Sequence, residues 1–408
     1  MTSVLRTANF ARLWMAIFVS TIGNFLLMLS LSVYMYRRTG DNFAAAAVFG
    51  TQWLATMFSA SLGGWLTARL RSARLAATCE IAGGCASLLI GACIASLPAV
   101  YGLLLLRGLA ESVSKSARVV AMRDHVPDEL IERAASLIGT ATFIGISVGS
   151  LAGAVLIDVI GIAQVTLIDA GTFVVGAGLY LSLSGPVRRV ATAVQPALRD
   201  VARVGFAAVR ADPALARNVA YMVVVTAFFQ GFHNIARALL PITRLGMGES
   251  GVMLLQALAS VSFFCGAIVV TLLMQSRQAA GRAEPWMLCA ASAVLMLAAV
   301  LTTQRAPSLA AYCAYLMCSE VAFVFCQKNV VMLCPREQLG LVSSLALSAA
   351  TLCMVAVIYL GGWLSDRVGL VSTGLLVFVA VAACTVAVEI RSPRPFRLPA
   401  AHPSTGDE

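Results

Sequence analysis

Continuous apolar stretches, each closed by a short polar turn, recur along all 408 residues. Taken in order they predict about twelve helices, over residues 12–36, 43–68, 74–95, 98–121, 133–157, 162–184, 217–242, 250–275, 285–304, 307–333, 340–364 and 370–390. An apolar run of about 18 or more residues is long enough to cross a bilayer as a helix. The runs do not alternate at about ten-residue spacing, which excludes a β-barrel. Several exceed the ~20 residues that a crossing needs, so tilt or extension past the bilayer is expected. The chain therefore reads as an all-α, multi-pass membrane protein.

A second pattern divides it. Pro127 to Gly161 matches Pro335 to Gly369 without a gap, at an offset of 208 residues. Pro127, Glu129, Ser136, Leu137, Ala141, Gly153, Leu156, Asp158 and Gly161 all recur, nine identities in 35 positions, where chance gives about two or three. Two pseudo-symmetric six-helix halves follow, residues 1–184 and 217–391, with a linker at 185–216 and a tail at 392–408 that the prolines Pro393, Pro395, Pro399 and Pro403 predict to be disordered. Within the linker, Leu198 to Val209 has a helical pattern with Arg and Asp on one side, readable as a surface-lying helix or as a plain connector. Membrane proteins built from two similar halves usually carry solutes, at a site between the halves.

Composition agrees: 60% of residues are hydrophobic, mean hydropathy is +0.88, and 12% are charged against about 25% in soluble domains. The net charge of +10 does not point to nucleic acid, because the basic residues lie mostly in short loops at helix ends. Arg69, Arg71, Arg74, Arg123, Arg133, Arg188, Arg189, Arg199, Arg203 and Arg210 gather on one side with the tail arginines, whereas Arg37, Arg38, Arg244, Arg305 and Arg367 face the other. The bias predicts that both termini are cytoplasmic. Arg6 and Arg12 precede a run long enough to span, so the first helix is expected to be its own insertion signal. The eleven cysteines form no CxxC pair and no zinc spacing, and read as small buried hydrophobes, so no metal is expected. No P-loop, dinucleotide fingerprint, HExxH or G-x-S-x-G stands in the chain, so neither a cofactor nor an enzyme activity is expected.

Ionisable residues inside the spans are the candidate chemistry. Each costs about 2.5–3.5 kcal/mol at mid-helix and normally faces a partner or a water-filled cavity. Arg107, Glu111 and Lys115 recur every four residues on one face of the fourth helix, with Arg107 near the midplane. The tenth carries Glu320 and Lys328, and the seventh carries Gln230, His233, Asn234 and Arg237, a polar wall suited to a substrate with an anionic group. Glu80 and Asp169 lie nearer helix ends and read as structural. Phe228, Phe229, Phe232, Phe323 and Phe325 could line an apolar substrate surface or pack between helices.

Six plus six spans with a basic central loop resemble the major facilitator superfamily. Asn9-Phe10-Ala11-Arg12-Leu13-Trp14, Tyr34-Met35-Tyr36-Arg37-Arg38-Thr39-Gly40, and Phe206 to Arg210 followed by Asp212-Pro213 and Arg217 resemble its bacterial macrolide-efflux and enterobactin-exporter branch. The resemblance implies that helices 1, 4, 7 and 10 line a central cavity, which would bring Asn24, Lys115, Gln230, His233, Asn234, Arg237 and Lys328 toward substrate, and Arg107, Glu111 and Glu320 toward proton coupling. Asn24 stands where many relatives place an acid. The loop after helix 2 matches the gating motif at Gly64, Leu66 and Arg69, but Ala68 replaces its aspartate. Gly362-Trp363-Leu364-Ser365-Asp366-Arg367-Val368-Gly369 matches that motif better, yet the topology places it on the opposite side, as a helix-end turn. Gly145, Gly149 and Gly153 form a ladder like that of the antiporter motif, with Ser150 where its proline is expected.

These readings predict a monomeric carrier in a bacterial inner membrane, exporting a siderophore, secondary metabolite or drug in exchange for protons, with the lipid bilayer and a small-molecule substrate as partners. An importer or facilitator of a nutrient or lysophospholipid, and a transporter-like scaffold or sensor, are the alternatives.

Overall fold

The computed structural model describes residues 7–56, 66–67, 69–126, 131–156, 159–183, 198–248, 250–275, 284–334 and 339–391. The tail after Arg391, Gly64 and Ala68 lie outside these residues. The first half holds α1 (Ala8–Thr39), α2 (Asn42–Thr56), α3 (Ser72–Ala92), α4 (Leu97–His125), α5 (Ile131–Leu156) and α6 (Ile162–Leu181). The second holds α7 (Pro213–Arg244), α8 (Ser250–Gln275), α9 (Pro285–Leu301) and α10 (Arg305–Leu333). A last stretch, Leu339–Arg391, breaks at Gly369 into α11 (339–368) and α12 (370–391). Among the described residues seven helical stretches are long and apolar enough to cross a membrane. The end expected at 68 for the second run lies outside the described residues; the other helix ends fall within a few residues of the apolar runs, because the bilayer and the bundle both demand continuous apolar surface.

Two faces can be defined. α1 begins and α12 ends at the termini face; α1 ends at the distal face, where Gly40 adopts φ +67° and its N–H closes on the Tyr36 carbonyl. Gly369, at φ +81°, makes the turn between α11 and α12 that its place in the repeat implied. The linker forms a helix over Leu198–Ala211, with Ala208 and Val209 packed on the second half and Phe206 exposed.

α7 starts sharply. Asp212 accepts hydrogen bonds from the Ala214 and Leu215 N–H groups, and Pro213 begins the helix where no N–H is needed. It then widens into π-turns over Val225–Gln230 and Leu240–Arg244, which bracket the segment carrying His233, Asn234 and Arg237. Pro241 lacks an N–H, which accounts for a break in the ladder at the second turn.

Close helix contacts depend on glycines. A side chain at Gly149 would run into the Ile22 carbonyl, and one at Gly145 would meet Thr21, so α5 packs directly on α1. Gly153 faces Met253 of α8 in the other half. Gly149→Ala should therefore push α1 and α5 apart at a cost of about 1–3 kcal/mol, read as a lower melting temperature of the detergent-purified protein. An unchanged melting temperature would mean that the contact is soft.

Candidate functional site

The first half gathers its charges around α4. Arg107 is 1% exposed and lies in a closed set of partners. Its guanidinium donates to Asp169 of α6 at 2.7 Å, to Ser87 of α3 at 3.0 Å, to Asn24 of α1 at 2.6 Å and to Gln52 of α2 at 3.1 Å, beside the Phe173 ring. One turn on, Glu111 pairs with Lys115 at 2.8 Å and accepts from the Gln52 amide, while Lys115 lies near the Trp53 ring. Further on, Arg118 donates to Glu80 of α3 at 2.8 Å, and Ser20 and Ser114 donate to the same carboxylate. The column thus holds three ion pairs, of which the sequence indicated only Glu111–Lys115. Asp169 and Glu80, expected to be structural, are buried counter-ions of Arg107 and Arg118.

The second half presents a different surface. His233 shares a hydrogen bond of 2.7 Å with the Tyr312 hydroxyl and meets Phe263 edge-on. Arg237, 3% exposed, donates to Gln256 of α8 at 2.7 Å and to Asn234 at 2.6 Å. Its charged plane lies against Phe49 of the first half, 3.3 Å from the ring centre. Among the described residues no carboxylate stands within ion-pair reach of it. Glu320 on α10 packs over Gly266 of α8 and has no hydrogen-bond or ion-pair partner among the described residues.

Between these surfaces lies a cavity of about 460 Å³, within the range typical of small-molecule sites. It runs from Phe49 and Arg237 at its distal end to Val119 and Ile138 toward the termini face. Asn24, Glu111, Lys115, Gln230, His233, Asn234, Arg237 and Glu320 line it. Arg107 and Lys328 do not. Arg107 turns away to Asp169, and Lys328 lies on α10 two turns past Glu320. The glycines of α5 serve packing, and Arg69 is exposed beside α3. Of the phenylalanines left open between cavity and packing, Phe229 and Phe232 are buried in the core of the second half, while Phe25, Phe49, Trp53, Phe143 and Phe263 line the cavity. Gln52 and Gln256 were missed, because an amide inside an apolar run signals little until its partner is known.

The distal end is shut by contacts between halves. The Asp366 carboxylate accepts from the Asn42 N–H at 2.7 Å and the Phe43 N–H at 3.0 Å, capping α2 from α11. Tyr359 bonds Thr51 at 2.8 Å and meets the Phe43 ring. The motif around Asp366 is thus more than the helix-end turn expected of it: it also joins the two halves. A carboxylate on a helix N-terminus contributes about 0.5–2 kcal/mol. Asp366→Asn should therefore speed modification of an introduced Thr51→Cys thiol by a membrane-impermeant maleimide by about two- to thirtyfold. An unchanged rate would show that the cap does not hold the closure.

Two helical bundles about a central, mostly apolar cavity with charged and polar groups in its wall, closed at the distal face, define a carrier. Residues 13–346 match the family model described as Major Facilitator Superfamily, and the chain belongs to that family of secondary transporters, which are not enzymes. Solved structures agree in fold. The nucleoside transporter NupG superposes with a TM-score of 0.74 at 12% identity, covering 94% of this chain and 98% of that one. A POT family transporter in complex with a thioalcohol-conjugated peptide gives 0.74 at 13% identity, covering 94% and 96%. A bacterial homologue of the human lysosomal transporter Spinster, in an inward-facing and unoccupied conformation, gives 0.73 at 14%, covering 98% and 100%. No curated protein sequence matches significantly.

Proposed function

We propose that this chain exports a small, partly apolar organic molecule by alternating access, in exchange for protons. The observation that carries the reading is the cavity itself: aromatic walls, polar groups from both halves, and contacts between the halves that close its distal face. The termini face is taken as cytoplasmic from the arginine bias, so the cavity receives substrate from inside. Outward movement rests on the α5 glycine ladder and on the resemblance to the macrolide-efflux and enterobactin-exporter branch. That branch also suggests a siderophore, secondary metabolite or drug as cargo, and a bacterial inner membrane as the setting.

Glu320 is the proton carrier in this scheme, since it lines the cavity and has no counter-charge among the described residues. A carboxyl can discard its charge by taking a proton, so the charge of the cavity changes with the state of Glu320. Glu111 is tied to Lys115 and Gln52, and serves as the second, coupled carboxylate. The chain acts as a monomer, because the cavity is complete within one copy.

The test compares small molecules in spent medium and in cell extracts for wild type and a deletion strain, with and without a proton ionophore. A compound that leaves the medium and accumulates in cells on deletion, and likewise on ionophore addition, supports the reading. A compound that stays unused in the medium on deletion makes the chain an importer. No difference in any compound removes transport.

A further inference from the structure

We infer that the substrate carries one ionised acid group, a carboxylate or its equivalent, and that Arg237 is its anchor. The inference rests on the transport reading above and narrows it to a chemical class. Four charged residues line the cavity beside Arg237: Glu111, Lys115, Arg118 and Glu320. Glu111 and Lys115 neutralise each other, and Arg118 is held by Glu80. Glu320 can neutralise itself with a proton. Arg237 has neither recourse. Arginine does not lose its proton in proteins, and its partners are the neutral oxygens of Gln256 and Asn234.

A buried, uncompensated cation is expensive and survives where something else supplies the counter-charge. The free donors point the same way. The Nε–H of Arg237 is buried and has no acceptor among the described residues, while Gln256 and Asn234 occupy one donor on each terminal nitrogen. A guanidinium edge with Nε unclaimed takes a carboxylate through two parallel hydrogen bonds. One uncompensated cation calls for one negative charge, and the aromatic lining calls for an apolar body attached to it.

The same geometry ties recognition to the distal closure. Phe49 lies against the guanidinium and belongs to α2, the helix that Asp366 caps from the other half. An anion on the Nε edge lies in the guanidinium plane beside that ring and neutralises the charge that the ring now meets, so loading weakens a contact between the halves. Arg237 is thus a substrate-binding residue and a latch at once.

The experiment profiles metabolites in cells carrying wild-type, deleted, Arg237→Gln or Arg237→Lys protein, with membrane levels of each variant checked by immunoblot. Compounds that depend on the chain are sorted by retention on an anion exchanger at pH 7. The expected result is that they are retained as singly charged anions. Their transport should fall about tenfold or more in Arg237→Gln and less in Arg237→Lys, as loss of a charge-assisted bond implies. Dependent compounds that are neutral or cationic would overturn the inference while leaving transport intact, and that result does not require either variant to fold. Wild-type transport by Arg237→Gln would overturn it as well. If nothing depends on the chain, the transport reading fails first and takes this inference with it.

Discussion

Glu320→Gln should leave the protein able to exchange substrate across a membrane yet unable to use a proton gradient to concentrate it. The glutamine keeps the shape and packing of the side chain over Gly266 and removes the one property the scheme uses, which is reversible charge. In proteoliposomes, counterflow should persist at near the wild-type rate while gradient-driven accumulation falls to equilibrium. Glu111→Gln should also abolish gradient-driven export, but with a broader defect, because Lys115 would lose its partner beside Trp53. Full gradient-driven accumulation by the Glu320 variant would remove that residue from coupling and leave Glu111 to account for it. Full accumulation by both would remove protons.

Arg107→Ala should destabilise the protein rather than merely slow it. The substitution strands Asp169, which is fully buried, and frees Asn24, Gln52 and Ser87 together. Breaking a buried pair from one side costs about 3–5 kcal/mol, a large part of the ~5–15 kcal/mol that holds a typical domain. The expected readout is a sharp loss of monodisperse protein on heating. The double variant Arg107→Ala with Asp169→Ala should recover part of it, since no charge then remains buried without a partner. A single variant as stable as wild type but inactive would reverse the assignment. Arg107 would then belong to proton coupling, as its position in the fourth helix suggested.

The contrast between those two arguments marks what was legible in the chain. Helices were readable because a bilayer leaves no other solution for an apolar run. The internal repeat located the two halves, and the Gly369 turn falls where its equivalence to Gly161 put it. Lining residues on α4, α7 and α10 were readable once the fold was suspected, because polar groups inside spans face either partners or water. Partners were not readable. Arg107 and Arg118 find their carboxylates on α6 and α3, and nothing in the spacing along α4 says which neighbour will supply an acid. Arg237 and Arg107 look alike as sequence, each an arginine in an apolar helix. Their difference, one neutralised and one not, exists only after packing. The phenylalanines stayed open between cavity and core for the same reason: Phe229 and Phe232 lie beside the polar wall in sequence, and only the turn of α7 places them in the core.

The central claim is that the distal closure opens and closes around a fixed cavity. Paired spin labels test it most directly. The eleven native cysteines are replaced, labels are placed at Thr39→Cys and Val368→Cys, both exposed on the distal face, and distances are measured in lipid nanodiscs. The account predicts two populations. The shorter matches this structure, and the longer grows when Asp366→Asn removes the cap on α2. A single short distance, unmoved by that substitution and by pH, would contradict alternating access and leave a rigid membrane scaffold.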